Sequence, residues 1–305
     1  MNPHEQNQQQ AAALEQRALL AGLIAYLVWG LAPLYFKLLQ VVRADEVVAH
    51  RVIWSIGFLL LVLTLRYRHR LIQHIRIPVR VASALVISCS LLAINSLLFV
   101  QAVHSDRVLE TSLGYFISPL VSVLLGRVFL SESLLLPQRW AVLLAASGTL
   151  YLFVSIDQVP WFALGIAISW ALYGLVRKVT EVGPMVGLLW ETILLLPAAL
   201  VWLYWLGLSD IRSFGQFGTA IDGLLICTGL ITIVPLVLFA TAARGLPLTT
   251  LGLMQYIAPS MSFLLAVFLF REPFTWSHAM AFSAIWIALL IYSIAGWRQM
   301  RHVGI

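Results

Sequence analysis

Charged side chains are scarce in this chain of 305 residues, where Lys and Arg together number 19 and Asp and Glu 13. They make up 10% of the sequence, whereas about 25% is usual in a soluble domain. Hydrophobic residues make up 61%, and no globular fold of this size can hide so much apolar surface from water. The composition therefore excludes a soluble enzyme, a disordered protein and a nucleic-acid-binding domain. It predicts an integral membrane protein.

Cysteine and the motifs of catalysis are also nearly missing. The two cysteines, Cys89 and Cys227, lie in apolar runs and offer neither a disulfide framework nor a metal-ligand spacing. The nucleotide-binding pattern G-x-x-x-x-G-K-[ST] does not occur, so ATP-driven transport would need a separate subunit. H-E-x-x-H and G-x-S-x-G are absent as well. We expect no cofactor, no metal site and no enzymatic activity.

Long apolar runs occupy most of the sequence. A membrane-spanning helix needs about 20 predominantly apolar residues, and the runs do not alternate apolar with polar residues as the strands of a membrane barrel do. The predicted spans are residues 18–39, 45–66, 79–103, 107–130, 136–155, 160–177, 184–207, 217–242, 247–270 and 275–297. Residues 1–17 form a polar tail that we expect to be disordered or to lie at the surface, and residues 298–305 form a C-terminal tail.

The basic residues indicate which way the chain enters the membrane. If the N-terminus is cytoplasmic, thirteen of the 19 Lys and Arg residues lie in inner loops or at inner span ends, and five lie outside. The remaining one, Arg51, lies within a span. Because basic residues concentrate on the cytoplasmic side, we predict that both termini are cytoplasmic. This distribution also accounts for the net charge of +6 without a nucleic-acid partner.

The sequence resembles itself at an offset of 140 or 141 residues. The informative matches place Trp29 on Trp170, Lys37 on Lys178, Pro119 on Pro259 and Glu132 on Glu272. Leucine matches are common in such a composition, but Trp, Lys, Pro and Glu matches at one nearly constant offset indicate a duplication. We infer two five-span repeats, residues 18–155 and 160–297.

An odd number of spans in each repeat makes the second repeat enter the membrane upside down. Inverted repeats recur in secondary transporters, where the substrate site lies near the midplane between the halves. The predicted fold class is therefore an all-α integral membrane protein with ten transmembrane helices as two inverted five-helix repeats. The halves should superpose after rotation about an axis in the membrane plane.

Four stretches of the sequence resemble a known family. They are ADEVVAHRVIWS (44–55), LETSLGYFISPLVSVLLG (109–126), WALYGLVRK (170–178) and TTLGLMQYIAPSMSFLLAVF (249–268), and they are similar to RarD permeases. RarD permeases belong to the EamA branch of the drug/metabolite transporter superfamily. The resemblance implies ten helices, two EamA repeats, a bacterial inner-membrane location and export of small metabolites or drugs. It transfers no catalytic motif, so the candidate site residues come from polar side chains within the spans.

His50 and Arg51 lie near the outer end of the second span. Arg51 either extends its guanidinium outward to the interface or faces the central cavity as a cation for a carboxylate or polarised oxygen. Adjacent residues are about 100° apart on a helix, so His50 and Arg51 cannot both point straight at one site. His50 shares a face with Trp54.

Glu191 lies within the seventh span and is the repeat counterpart of His50 at the 141-residue offset. A buried carboxyl without a counter-charge tends to hold a proton near neutral pH, which suits a proton-coupling role. A structural hydrogen bond to a neighbouring helix is the alternative interpretation. We predict that His50 and Glu191 line or buttress the substrate path.

Other polar and aromatic side chains inside the spans complete the set of candidates. Those in spans three and four form either part of the path or ordinary interhelical hydrogen bonds, and they are Asn95, Gln101 and Glu110. The aromatic candidates for the wall of a cavity are Tyr26, Trp29, Tyr115, Trp170, Tyr173 and Tyr256. Interfacial anchoring is the alternative for such residues.

These features favour a secondary transporter that exports small amphipathic metabolites or drugs by alternating access, with proton coupling as an option. The alternatives are an uncoupled solute facilitator or channel and an intramembrane enzyme. The expected partners are a small-molecule solute and the lipid bilayer, and a monomer is compatible with this organisation.

The first testable prediction concerns topology. In a parent variant in which Cys89 and Cys227 are replaced by alanine, cysteines replacing Glu5 and Val303 should react only with a reagent on the cytoplasmic side. A cysteine replacing Arg43 should react only from outside. Labelling of positions 5 and 303 from opposite faces would contradict the ten-span prediction.

Overall fold

The computed structural model describes residues 3–68, 71–104, 108–154, 161–209, 211–269 and 276–302. All regular secondary structure in these ranges is helical, which confirms the predicted all-α class. The helices are α1 (Pro3–Lys37), α2 (Ala44–Tyr67), α3 (Leu71–Ile75), α4 (Val79–His104), α5 (Val108–Phe129), α6 (Leu136–Val154), α7 (Trp161–Val179), α8 (Pro184–Leu208), α9 (Thr219–Gly245), α10 (Leu248–Met254), α11 (Ile257–Leu264) and α12 (Trp276–His302). A short π-helical segment, Leu265–Leu269, follows α11.

Several of these helices are long and apolar enough to cross a membrane. Six such stretches lie in the described residues: Ala13–Lys37, Ala44–Tyr67, Val79–Phe99, Trp161–Val179, Pro184–Leu208 and Thr219–Gly245. Gly114–Phe129 and Ser283–Tyr292 are shorter apolar helical stretches. The first three and the sixth to eighth predicted spans therefore coincide with helices of membrane-crossing length, whereas the total of ten stays a prediction.

The polar tail is helical from Pro3 onward, because α1 continues through it into the first span. Residues 5–17 are mostly Gln, Ala, Glu and Leu, all of which have high helix propensity. A proline is tolerated at the first helical position because its missing N–H would have no partner there. The tail's polarity thus marks where the apolar span begins, but it does not mark where the helix begins.

The two halves of the chain interleave and do not pack as separate bodies. Helix α1 packs against α9 and α11, α2 against α8 and α9, and α4 against α7 and α8. Helix α5 packs against α7 and α10, and α6 packs against α12. Each of these contacts joins one predicted repeat to the other. The main apolar core lies among α1, α2, α4 and α7–α10, and a second core lies where α6 and α12 meet.

Helices α2 and α9 approach each other closely at Gly229. A Cβ atom at this position would lie 2.6 Å from the carbonyl carbon of Trp54 and 2.8 Å from the nitrogen of Ser55. The Ser55 hydroxyl donates a hydrogen bond to the carbonyl oxygen of Gly229 (3.4 Å) at the same crossing. Small residues allow such close helix contacts in membranes, so the sequence fixes this crossing with a glycine facing a serine.

The predicted span 247–270 is not one continuous helix in the structure. It divides at Gln255 and Tyr256 into α10, α11 and the π-helical segment. Pro259 lies four residues after Gln255 and has no N–H to donate to the Gln255 carbonyl, which its ring would also crowd. The helix therefore breaks one turn before the proline, whereas α5 continues past Pro119.

The connection between α9 and α10 is held by two charged side chains. Lys178 donates to the carbonyl oxygens of Leu246 and Ala243, near the C-terminal end of α9. The Glu132 carboxylate accepts from the backbone N–H groups of Leu248 (2.6 Å) and Thr249 (2.9 Å) at the start of α10. A cation at a helix C-terminus and an anion at an N-terminus both match the helix dipole.

Glu132 lies in the loop before α6, and a glutamate at such a position ordinarily caps the helix that follows it. Glu132 instead caps a helix of the other half, because the halves interleave and α10 packs against α5. Its repeat counterpart Glu272 lies outside the described residues.

We expect the Glu132→Ala substitution to lower the free energy of unfolding by about 1–3 kcal/mol, because two N–H groups at the start of α10 lose their charged acceptor. Unfolding in mixed micelles with increasing dodecyl sulfate measures this change. Glu181→Ala, at an exposed position after α7, is the matched control and should leave stability unchanged. Equal stability of the two variants would contradict the cap.

Candidate functional site

Five aromatic side chains meet at the boundary between the halves, and we call them the aromatic cluster: Tyr26, Trp29, Trp170, Tyr173 and Phe239. The rings of the repeat-matched residues Trp29 and Trp170 touch edge to face, with centroids 5.4 Å apart. Tyr26 packs against Trp29 at 5.6 Å, and Trp170 packs against Tyr173 at 5.5 Å. Four sequence candidates are therefore brought together, two from the C-terminal half of α1 and two from near the middle of α7.

Phe239 of α9 lies at the centre of the aromatic cluster, although it was not a sequence candidate. Its ring contacts all four others at centroid distances of 6.3, 5.8, 5.3 and 5.9 Å, and its side chain is fully buried. The repeat offset of 140 matches it to Phe99, which is the signal that could have identified it.

Glu191 of α8 lies next to Tyr173 of the aromatic cluster and is fully buried. Its carboxylate accepts a 2.5 Å hydrogen bond from the Ser88 hydroxyl of α4 and a 3.4 Å hydrogen bond from Tyr173 of α7. The Nη1 atom of Arg177 lies 3.7 Å from its Oε1 atom. Glu191 thus has a counter-charge, which differs from the sequence premise of an unpaired carboxyl.

Arg177 belongs to the site, although it was not a sequence candidate because it lies at the end of a predicted span. Its side chain is 1% exposed, and its Nη2 atom donates to the Pro184 carbonyl (3.3 Å). A Cβ atom at Gly187 would collide with the guanidinium, so this glycine makes room for the ion pair. Arg177 lies two residues before the end of α7 and Glu191 seven residues after the start of α8. Both charges therefore flank the short connection between these helices, and that proximity along the chain is the sequence signal for their pairing.

His50 occupies a separate site near the connection between α8 and α9. Its Nδ1 atom accepts from the Trp54 indole N–H (3.2 Å), and its ring stacks on Phe214 with centroids 5.0 Å apart. Its Nε2 atom lies 3.8 Å from the Glu46 carboxylate. Because His50 lies by the end of α8 and Glu191 lies near its start, the two matched residues lie towards opposite ends of the protein.

Glu46 fixes the loop against which His50 packs. It is fully buried, and its carboxylate accepts from the backbone N–H of Ser213 (2.8 and 2.9 Å) and of Phe214 (3.0 Å). Glu46 was not a sequence candidate, because a glutamate in the first turn of a helix is ordinary.

Arg51 points between helices and not outward to the interface. Its Nε–H donates to the Thr232 hydroxyl of α9 (2.9 Å), and its guanidinium carbon lies 5.6 Å from the Phe36 ring centroid of α1. Tyr115 of α5 is partly exposed, and its ring packs against Phe99 of α4 with centroids 6.4 Å apart. Arg51 thus lies where α1, α2 and α9 converge.

The remaining candidates have different surroundings. Asn95 donates to the Ile166 carbonyl and the Ser169 hydroxyl of α7, both at 3.0 Å, which matches the interhelical alternative. Gln101 is exposed. The side chain of Glu110 lies outside the described residues. Tyr256 is buried in the second core, where its ring packs against Phe116, apart from the aromatic cluster.

Gln255 is a further residue that sequence analysis missed. It lies at the break between α10 and α11, where it accepts from Ser118 (2.9 Å) and donates to Ser122 (3.1 Å) of α5. The Tyr26 hydroxyl donates to the nearby Leu251 carbonyl (3.4 Å). Broken helices at membrane depth are tolerated where neighbouring protein satisfies the polar groups, and α5 supplies that partner.

The site combines an apolar aromatic wall with ionisable groups on both sides of it. The described residues hold no group of three or more His, Cys, Asp or Glu side chains that could bind a metal ion. Aromatic stacking surfaces with a few charged groups beside them are typical of sites for amphipathic organic molecules.

Comparison with known proteins places the chain in a family. The model of the EamA-like transporter family matches residues 16–154 and 159–294. The chain is 42% identical over 278 residues to Protein RarD of Escherichia coli (strain K12), covering 91% of this chain and 94% of that protein. It is 39% identical over 294 residues to the uncharacterized transporter PA0485 of Pseudomonas aeruginosa, covering 96% and 98%.

A solved structure described as "Crystal structure of protein" shares the fold, with a TM-score of 0.72 and 18% identity over 92% of this chain and 98% of that one. The two family matches together span nearly the whole sequence. The chain therefore belongs to the EamA-like transporter family as a RarD-type permease, a multi-pass membrane transporter.

Proposed function

We propose that the protein is a secondary transporter of the bacterial inner membrane that exports small amphipathic solutes by alternating access. In this proposal the ten spans form two inverted repeats, both termini are cytoplasmic, and the solute path runs along the aromatic cluster between the halves. An uncoupled facilitator or channel and an intramembrane enzyme are the alternatives that the experiments below separate.

The helix contacts support the two-fold relation between the halves that the inverted arrangement requires. Under the repeat offset, α1 corresponds to α7, α2 to α8, α4 to α9, α5 to the broken segment α10–α11, and α6 to α12. The contact of α1 with α9 then has its equivalent in α7 with α4, and α5 with α7 has its equivalent in α11 with α1. The pairs α2–α8, α5–α10 and α6–α12 are their own equivalents, as a two-fold axis requires.

Unequal burial of repeat-matched residues is the observation that carries the proposal of alternating access. Phe239 is 0% exposed and its counterpart Phe99 is 38% exposed. Gln255 is 6% exposed and its counterpart Tyr115 is 38% exposed. Two halves of similar sequence therefore have different packing at their two ends, as expected for a carrier closed at the Arg177 end and open at the other.

Glu191 is the proposed coupling group. While its carboxylate is charged, it compensates the buried Arg177, and together they hold α7, α8 and α4 closed. A proton on Glu191 would remove that compensation and leave a buried cation without its partner, a costly state. Protonation therefore favours opening of this end, which links proton access to solute access.

Counterflow in proteoliposomes tests the carrier proposal. Metabolite profiling of cells with and without the protein first identifies the solute whose distribution changes most. Vesicles loaded with that unlabelled solute should then transiently accumulate the labelled form, because a carrier exchanges one molecule for another. Simple equilibration of label would indicate a channel or facilitator, and chemical conversion of the solute would indicate an enzyme.

The Glu191→Gln substitution tests proton coupling. Glutamine keeps a carbonyl oxygen for Ser88 and Arg177 but is uncharged at every pH, like the protonated carboxyl. We therefore expect folded protein whose Arg177 end opens at every pH, with solute exchange largely retained and its pH dependence lost. Exchange rates are measured over a range that extends about one to two pH units on either side of neutral, from about pH 5.5 to about pH 8.5. The exposed control Glu181→Gln should keep the wild-type profile. Wild-type pH dependence in Glu191→Gln would refute coupling at this residue.

A further inference from the structure

We propose that Arg51 binds the carboxylate of the transported solute, so that the substrates are amphipathic anions with an apolar or aromatic body. This inference rests on the transporter function proposed above and names the class of solute that the path accepts.

The first argument is the absence of an acidic partner for Arg51 within the described part of the chain. Its Nε–H is taken by the neutral Thr232 hydroxyl, and its guanidinium faces the Phe36 ring. No ion pair joins it to a described carboxylate, and its terminal nitrogens are not among the buried unpaired polar atoms. Four N–H donors therefore remain accessible to a ligand, in the fork geometry that matches a carboxylate.

The second argument is the contrast with Arg177, the other arginine of the candidate site. Arg177 is enclosed by Glu191, the Pro184 carbonyl and Gly187. The repeat counterpart of Glu191 is His50, which packs on Phe214. The half that contains Arg51 thus has no carboxylate at the position where the other half has one. A cation within the membrane needs an anion or water, and at Arg51 a solute can supply the anion.

The third argument is the position of Arg51 relative to the aromatic cluster. Phe36 and Trp29 are seven residues apart in α1, so they lie on the same face with a rise of about 10 Å between them. Trp29 in turn contacts Trp170. An elongated solute with its carboxylate at Arg51 would therefore lay its apolar body along Phe36 towards the two tryptophans.

The position of Thr232 prepares Arg51 for this role. The Thr232 hydroxyl accepts from Arg51 while donating to the Thr228 carbonyl one turn earlier in α9 (2.8 Å). Both threonines are buried. The guanidinium is thus held at one nitrogen by a buried, oriented acceptor, which lowers the entropy cost of binding an anion at the other two.

Phenylbutyrate and phenylbutyramide are suitable probes, because they have nearly the same shape and differ in charge. Calorimetric titration into the full-length protein in neutral detergent, corrected for titration into empty micelles, gives both affinities. We expect the carboxylate to bind at least about tenfold more tightly than the amide, the usual effect of a hydrogen bond to a charged group. If the wild-type protein binds the carboxylate and the amide with nearly equal affinity, the proposal is overturned, and this result requires no variant.

The Arg51→Gln substitution should bring the ratio close to one while the amide still binds, and Arg51→Lys should keep a reduced preference for the carboxylate. Arg66→Gln, which removes an exposed arginine at the other end of α2, is the matched control and should keep the wild-type ratio. An undiminished ratio in Arg51→Gln would overturn the proposal.

The binding experiment and the counterflow experiment test the anion site and the carrier function separately. Counterflow with no carboxylate preference would overturn the anion site and leave the carrier intact. A carboxylate preference that depends on Arg51, without counterflow of any solute, would overturn the carrier and leave an anion site in a protein of another function.

Discussion

The buried contact between Arg177 and Glu191 is the interaction on which the rest of the site depends. It joins α7 to α8, and the hydrogen bond from Ser88 adds α4 from the other half. Because two charges are removed from water, their attraction only offsets a large desolvation cost. The contact therefore contributes little net stability while intact, but loss of either charge strongly destabilises the packing of α7, α8 and α4. This property suits the proposed alternating access, in which the contact must open and reform.

The sequence predicted the all-helical class, most long helices and the family. It also selected four residues of the aromatic cluster, because Trp29 matches Trp170 and the tyrosines lie about one turn away on the same helices. These successes share a cause: hydropathy and internal repetition are local properties of the sequence that survive folding.

The failures share a different cause. Glu132 caps α10 and Glu46 binds the loop at Ser213, more than a hundred residues away in each case. Such partners follow from the interleaving of the halves, which no pattern within one half reveals. Arg177 was misplaced because a charge near a span end usually faces water, and here Gly187 opened a space for it beside Glu191. The break at Gln255 was missed because a proline in a span predicts a kink more often than an interruption.

The charge differences between the halves also bear on the transport cycle. Two identical inverted halves would give inward-closed and outward-closed packings of equal free energy. In the proposed cycle, closure at one end brings together Arg177 and Glu191, and the equivalent closure at the other end would bring together their repeat counterparts, Phe36 and His50. An aromatic ring and an imidazole cannot reproduce an ion pair, so the two closures have different free energies. A ligand that differs in affinity for the two states must then supply that difference, and the anion proposed to bind Arg51 would act at the end where His50 takes the place of Glu191 and the Glu46 carboxylate is already bound to the Ser213 loop.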